Sequence, residues 1–422
     1  MNIEKKTFLL HLLSQVFWGI SLGIFLLHDI ILKKTLQGTD FDVLILVYLL
    51  NTSFLFSIYG TEIINHSSNP ARMIIILGLA GRIFLFLIPV INSLYYFIFV
   101  IIISSYLDYM LFPSWNVVFK HNYSDSKRSK YYAYASTITT GFTLAATTLT
   151  GLWLDVNENV YKVLFPLAGV FGIITYLILA KMWKLSPLNI TSGITTLKSF
   201  SLRLLKDIIL LPFRKTFAIF KENKSFLKFE INFFIYGMAF MIMLPVIPVF
   251  IVDELYLGYP PISFGKGLVY HSALILFTPL MGKFHGTGKP ARFCSLVFFI
   301  LALFPLLLLL SKYFNTASGF PGINSSELIF YLAYFIFGLG MSGITIVWNI
   351  GSIYYAPPEM VSNYQAVHIT MTGVRGLFAP VIGYIAMQIF SKEIAFILSS
   401  FLFLTASVLM LRDAGNPYRS YQ

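Results

Sequence analysis

The chain has 422 residues, of which 57% are hydrophobic and only 11% charged, and its formal net charge is +12. So few charges cannot cover the surface of a soluble protein of this size, which excludes a water-soluble globular enzyme. A basic balance often points to nucleic acid, but the placement of the charge along this chain excludes that partner.

Apolar runs of about 20 residues, long enough to cross a bilayer, recur along the chain. About twelve spans are expected, near 7–31, 41–61, 71–91, 94–119, 131–153, 161–183, 226–251, 262–284, 291–314, 327–354, 362–390 and 393–411. In lipid each must be helical, because every backbone polar group needs an internal partner. The first run is too long for a signal peptide, lacks a small-residue cleavage site and leads straight into further spans. Hydrophobicity breaks at 185–225, where Lys198, Arg203, Lys206, Arg214, Lys215, Lys221 and Lys224 surround an apolar face of Leu197, Phe200, Leu204, Ile208 and Leu211. That pattern predicts a basic amphipathic helix on the inner membrane surface, ended or kinked at Pro212. The expected organisation is a bundle at 1–184, a cytoplasmic linker at 185–225 and a second bundle at 226–422.

With the N-terminus inside, most of the 30 Lys and Arg residues fall on cytoplasmic segments. Both termini then lie in the cytoplasm, the spans are even in number, and the basic charge needs no nucleic acid. The remaining hydrophilic segments are too short for a soluble catalytic or nucleotide-binding domain. No Walker-type loop and no metal-ligand spacing occurs, so neither cofactor nor metal is expected. Cys294, the single cysteine, cannot form an internal disulfide.

The chain echoes itself. Asn69-Pro70-Ala71-Arg72 returns as Lys289-Pro290-Ala291-Arg292, and Trp115-Asn116 returns as Trp348-Asn349. Both echoes lie a little over half a chain apart at the ends of apolar runs, as in two-fold repeats of secondary transporters. With a basic central loop and short loops after spans two and eight, this organisation resembles the major facilitator superfamily over essentially the whole chain. In that family these loops carry a pattern like G-x-x-x-D-R-x-G-R-R. Here the stretches Gly60 to Arg72 and Gly282 to Arg292 keep the leading glycine and trailing arginine, whereas Ile64 and Gly286 replace the acid. These four residues are the gating-loop candidates. The family's G-P dipeptide of span five is absent from Gly141 to Gly151, which disfavours a drug/proton antiporter. The resemblance implies an all-α fold of two pseudo-symmetric six-helix bundles, with spans one, four, seven and ten lining a central cavity.

An ionisable group inside a span costs roughly 2.5–3.5 kcal/mol on insertion scales and is a functional candidate for that reason. Arg82, Asp108 and Arg375 qualify. Asp108 shares a helix face with Trp115. It is read either as a proton-binding group or as the static partner of Arg82. Arg375 shares a face with Tyr364, His368 and Thr372; either it holds a substrate carboxylate or phosphate in bidentate fashion while His368 shuttles protons, or the two are buried polar groups bonded to other helices. The Trp115-Asn116 and Trp348-Asn349 pairs are read as interface anchors or as a gate. His271, Gln15, Trp18 and Asn51 are lesser cavity candidates. Asp29, His28 and Glu230 are expected in solvated positions near the interfaces.

The expectation is a monomeric multi-pass carrier, embedded in lipid in the plasma (inner) membrane. It moves a small solute by alternating access, with proton coupling and a preference for an anion. An exporter of amphipathic compounds, suggested by the 42 phenylalanines, and a membrane-embedded lipid-modifying enzyme are the alternatives.

Overall fold

A computed structural model of the chain describes residues 3–56, 60, 63–64, 67–185, 216–285, 290–314, 322–357 and 360–413. Most of the basic linker, including Lys198 and Arg203, lies outside them, as does the side chain of Asn349. In chain order the helices are α1 (Ile3–Phe25), α2 (Asp40–Thr52), α3 (Pro70–Ile83), α4 (Leu94–Asn122), α5 (Asp125–Val156), α6 (Tyr161–Leu185), α7 (Lys224–Met243), α8 (Tyr270–His285), α9 (Pro290–Ser311), α10 (Ser325–Ile350), α11 (Val361–Gly376) and α12 (Lys392–Asp413). Val246–Asp253 follows α7, and Ala379–Ile389 follows α11. π-helical turns occur at Ile31–Thr35, after α1, and at Phe264–Val269, before α8.

Nine helical stretches among the described residues are long and apolar enough to cross a membrane. The expected spans near 41–61, 131–153 and 262–284 also fall on helices, but not on stretches of that kind. α2 and α8 have only 13 and 16 residues, and α5 begins with a charged turn and continues rich in threonine.

Helix starts are set by local chemistry. Asn69 accepts a hydrogen bond from the Arg72 amide at 3.0 Å, and Pro70 stands in the first turn of α3, where its missing N–H is no loss. The same Pro-Ala-Arg opens α9 at Pro290. The first echo is therefore a repeated helix start. Asn223 and Asn324 cap α7 and α10 in the same way, bonding the amides of Phe226 and Glu327.

The chain divides into two compact units. One gathers most of the N-terminal half with residues 258–268; the other gathers the C-terminal half with residues 43–51. Within the first, α1 and α5 join through small residues and hydroxyls. Thr139 donates to the Gln15 side chain at 2.6 Å, Thr143 to the Gly19 carbonyl at 3.2 Å, and Thr147 to the Gly23 carbonyl at 3.0 Å. All six residues recur at spacings of four, so one face of each helix meets the other. A Cβ on Gly23 would stand 2.7 Å from the Thr143 carbonyl oxygen. Three α5 threonines are thus taken up by a neighbouring helix, whereas Thr137, Thr140 and Thr148 donate to α5 carbonyls one turn back. In the second unit Ser399, Ser400 and Ser407 of α12 donate to the carbonyls of Ala239, Ala302 and Ser295.

Candidate functional site

Among the described residues each unit contains one arginine buried among helices, and both lie where a helix loses its regular form. Arg82 stands at the end of α3, just before the 3-10 turn Phe84–Leu87. Arg375 stands at the end of α11, whose carbonyl then accepts from the Phe378 amide as the chain turns into Ala379–Ile389. Each guanidinium also lies against a glycine of an adjoining helix. A Cβ on Gly172 of α6 would stand 2.6 Å from Arg82 Nε, and one on Gly237 of α7 would stand 2.2 Å from Arg375 Cζ. Aromatic faces complete both settings: Trp18 and Phe25 for Arg82, Phe233 and Tyr236 for Arg375.

The polar partners differ. Arg82 Nη2 donates to Asp108 Oδ2 at 2.5 Å, and the Tyr176 hydroxyl donates to Asp108 Oδ1. This triad ties α3, α4 and α6 together. Arg82 is 1% exposed and Asp108 21%. Arg82 Nε and Nη1 have no partner among the described residues, so the Asp108 carboxylate is the acceptor this cation depends on. Of the two readings of Asp108, the geometry contains the ion pair with Arg82.

Arg375 has no carboxylate within ion-pairing distance among the described residues. Its Nη1 donates to the Phe233 carbonyl and its Nη2 to Thr372 Oγ1, each at 2.9 Å, while Nε is buried without a partner among the described residues. Both terminal nitrogens are thus engaged by α7 and α11, so a bidentate grip on a ligand would first have to release Phe233 and Thr372.

The polar face of α11 lies on α7 and the residue before it. Asn223 donates to the Tyr364 hydroxyl at 3.1 Å. One turn further along, His368 Nδ1 lies 2.8 Å from Glu230 Oε1. His368 is 1% and Glu230 2% exposed. Glu230, expected in a solvated position, is instead buried. Its place near the start of α7 suggested solvent, but Phe229 and Phe233 and the rings of His368 and Tyr355 close around that end. His368 Nε2 is buried with no partner among the described residues, and the Trp348 ring meets the imidazole edge-on, with centroids 6.1 Å apart.

Trp115 likewise meets a buried histidine, His11, with ring centroids 6.0 Å apart. It lies within α4 rather than at its end, since the helix continues to Asn122. Asn116 is exposed. Of the gating-loop candidates, Gly60 meets a strict steric demand: a Cβ there would stand 1.9 Å from the Met110 carbonyl oxygen. Among the described residues Gly282 has only Ile346 near, at 3.9 Å. Arg72 and Arg292 are exposed in the first turns of α3 and α9.

Asp29 also departs from the solvated position expected of it. Both of its carboxylate oxygens accept from Lys266 Nζ at 2.8 Å, with the two side chains 16% and 12% exposed. The partner stands 237 positions away, so no local signal announces it. Among the lesser candidates, Gln15 and Trp18 are absorbed by the contacts above, and Asn51 donates to the Val47 carbonyl at 2.8 Å. His271 is buried beside the Tyr270 ring. No group of three or more candidate metal ligands occurs among the described residues.

A family model described as Major Facilitator Superfamily matches residues 7–367. Solved structures of similar fold include a peptide transporter, POT, in complex with sulfate, with a TM-score of 0.73 at 14% identity, covering 98% of this chain and 95% of that one. The nucleoside transporter NupG gives a TM-score of 0.59 at 13% identity, covering 98% of each chain. A bacterial homolog of the human lysosomal transporter Spinster, inward-facing and unoccupied, gives 0.62 at 13% identity over 98% of this chain and 96% of that one. No curated protein matches the chain.

Proposed function

Because the chain belongs to the major facilitator superfamily, we propose that it is a secondary active carrier moving a small solute by alternating access. The family and the transporter structures identify a membrane transporter rather than an enzyme. The proposed arrangement is a twelve-span monomer in the plasma (inner) membrane with both termini cytoplasmic.

The observation that carries the reading is the burial of ionisable side chains inside membrane helices, where a charge persists only with a compensating role. In the N-terminal unit that role is internal, since Arg82 and Asp108 neutralise each other. We assign Asp108 to bracing α3 against α4 and α6. In the C-terminal unit Arg375 has no carboxylate within ion-pairing distance among the described residues, which favours an anionic solute such as an organic acid, sugar acid or amino acid. Arg375 supplies positive potential while its terminal nitrogens stay engaged.

The test is uptake of a solute panel into proteoliposomes with and without an imposed pH gradient. The expected result is gradient-stimulated uptake of an anion. Well-folded protein that carries no member of the panel under either condition would refute the carrier reading.

A further inference from the structure

The two echoed helix starts differ in one residue. At the first, Asn69 accepts from the Arg72 amide. At the second, Lys289 precedes the proline, and an ammonium group donates hydrogen bonds but accepts none. Pro290 has no N–H, so the amides of Ala291 and Arg292 are the donors at the start of α9 that no intrahelical carbonyl reaches. The side-chain acceptor that serves α3 is therefore missing from α9 by chemistry.

His285, the last residue of α8, packs on this same start. Its ring meets that of Phe293, in the first turn of α9, edge-on with centroids 5.0 Å apart, and the Tyr354 ring at 5.4 Å. The side chain is 3% exposed, and its Nε2 is buried with no partner among the described residues. A buried polar nitrogen is costly until some group reaches it. Lys283 and Arg292 are exposed on these two helix ends, and the sequence has no Asp or Glu between Glu254 and Glu327. Positive charge, uncapped amides and an unpartnered ring nitrogen thus meet where α8 ends and α9 begins.

We propose that this place binds a phosphate group. The start of α9 supplies two amides and the positive end of the helix dipole. His285 donates Nε2–H to a phosphate oxygen, and Lys283 and Arg292 balance the charge. At α3 the corresponding amide is already taken by Asn69. The phosphate belongs either to a soluble ion or ester or to a lipid headgroup, since both present the same oxygens. This site goes beyond the carrier reading, and a protein that carries no solute would leave it standing.

The test is calorimetric titration of inorganic phosphate into the full-length chain, in maltoside detergent stripped of lipid and at constant ionic strength. Saturable binding of one phosphate per chain is expected. Lys289→Asn copies the first helix start, and His285→Phe removes the ring nitrogen. Each is expected to weaken binding about tenfold or more, the loss of one hydrogen bond to a charged group. Lys5→Ala, which removes an exposed lysine of α1, leaves binding unchanged. Should His285→Phe fail to fold, Lys289→Asn decides alone, because the first copy folds with that residue. Repeating the titration in nanodiscs of phosphatidylcholine, with and without phosphatidic acid, separates the two sources. Binding that persists in both supports a soluble ligand, and binding lost in either supports a lipid headgroup already in the site. No saturable binding in detergent, or binding unchanged in either folded variant, overturns the assignment.

Discussion

Replacing Asp108 with asparagine preserves shape and removes one charge. The Arg82 guanidinium then stays 1% exposed with no anion among the described residues, where Asp108 is its ion-pair partner and two of its nitrogens already lack acceptors. Removing one member of a buried pair costs about 3–5 kcal/mol, because the remaining charge is left uncompensated. Asp108 itself is 21% exposed, so water can replace part of the lost carboxylate and the lower end, about 3 kcal/mol, is expected. An ordinary neutral hydrogen bond between membrane helices contributes on average only about 0.6 kcal/mol, so the two cases are well separated. The measurement is reversible unfolding in mixed micelles with increasing dodecyl sulfate, followed by tryptophan fluorescence. The double variant Arg82→Met with Asp108→Asn removes both charges and should recover most of the loss, giving a coupling energy of about 2 kcal/mol or more. A single variant that loses less than about 1 kcal/mol, or a double variant no more stable than the single, would refute the brace.

Two further outcomes follow from the geometry. Gly60→Ala places a methyl group 1.9 Å from the Met110 carbonyl oxygen, which is backbone and cannot turn aside; the variant is expected to fold poorly by size-exclusion profile, whereas Gly282→Ala, with open space around it, is expected to elute like the wild type. In the second unit the hydrogen bond from Lys392 and the charge of Lys312 hold the Glu254 carboxyl below its ordinary value, and Glu393 with Glu254 holds Lys312 above its own. A carboxylate with a depressed value contributes stability above the ordinary glutamate range that is lost as pH falls through the depressed value; thermal stability should therefore decline on acidification below about pH 4, with a smaller decline in Glu254→Gln, and an identical acid limb in both proteins would count against the contribution.

Much of the fold was legible because lipid reduces the question to where apolar runs begin and end. Asn69-Pro70 marked a helix start by cap and proline chemistry that works without tertiary context. The helical character of the threonine-rich stretch was legible too, but the partner that uses those hydroxyls, α1, is invisible to periodicity. Site residues were legible as residue types and not as pairs. Arg82 and Asp108 stood out because each is costly alone, and their pairing was one of two open readings. Glu230 was misplaced because depth along a helix says nothing about the rings that close over its end, and here Phe229 and Phe233 do so. Asp29 failed for the same reason, with Lys266 arriving from far along the sequence.

The membership of residues 258–268 in the first unit has a consequence for biosynthesis. Gly151 packs so close to Ser263 that no Cβ fits between them, Gly267 lies on Thr147 and Thr148, and Thr35 meets the Tyr259 hydroxyl at 2.5 Å. These contacts do not exist while the ribosome is still making the linker. The first half of the chain is therefore expected to enter the membrane with Asp29 lacking this partner until Lys266 is translated. A nascent chain arrested before Gly258 should present that half in an unfinished, protease-sensitive form, and completion should come within a few residues of Lys266 leaving the exit tunnel. The order of synthesis thus makes the second half a participant in finishing the first.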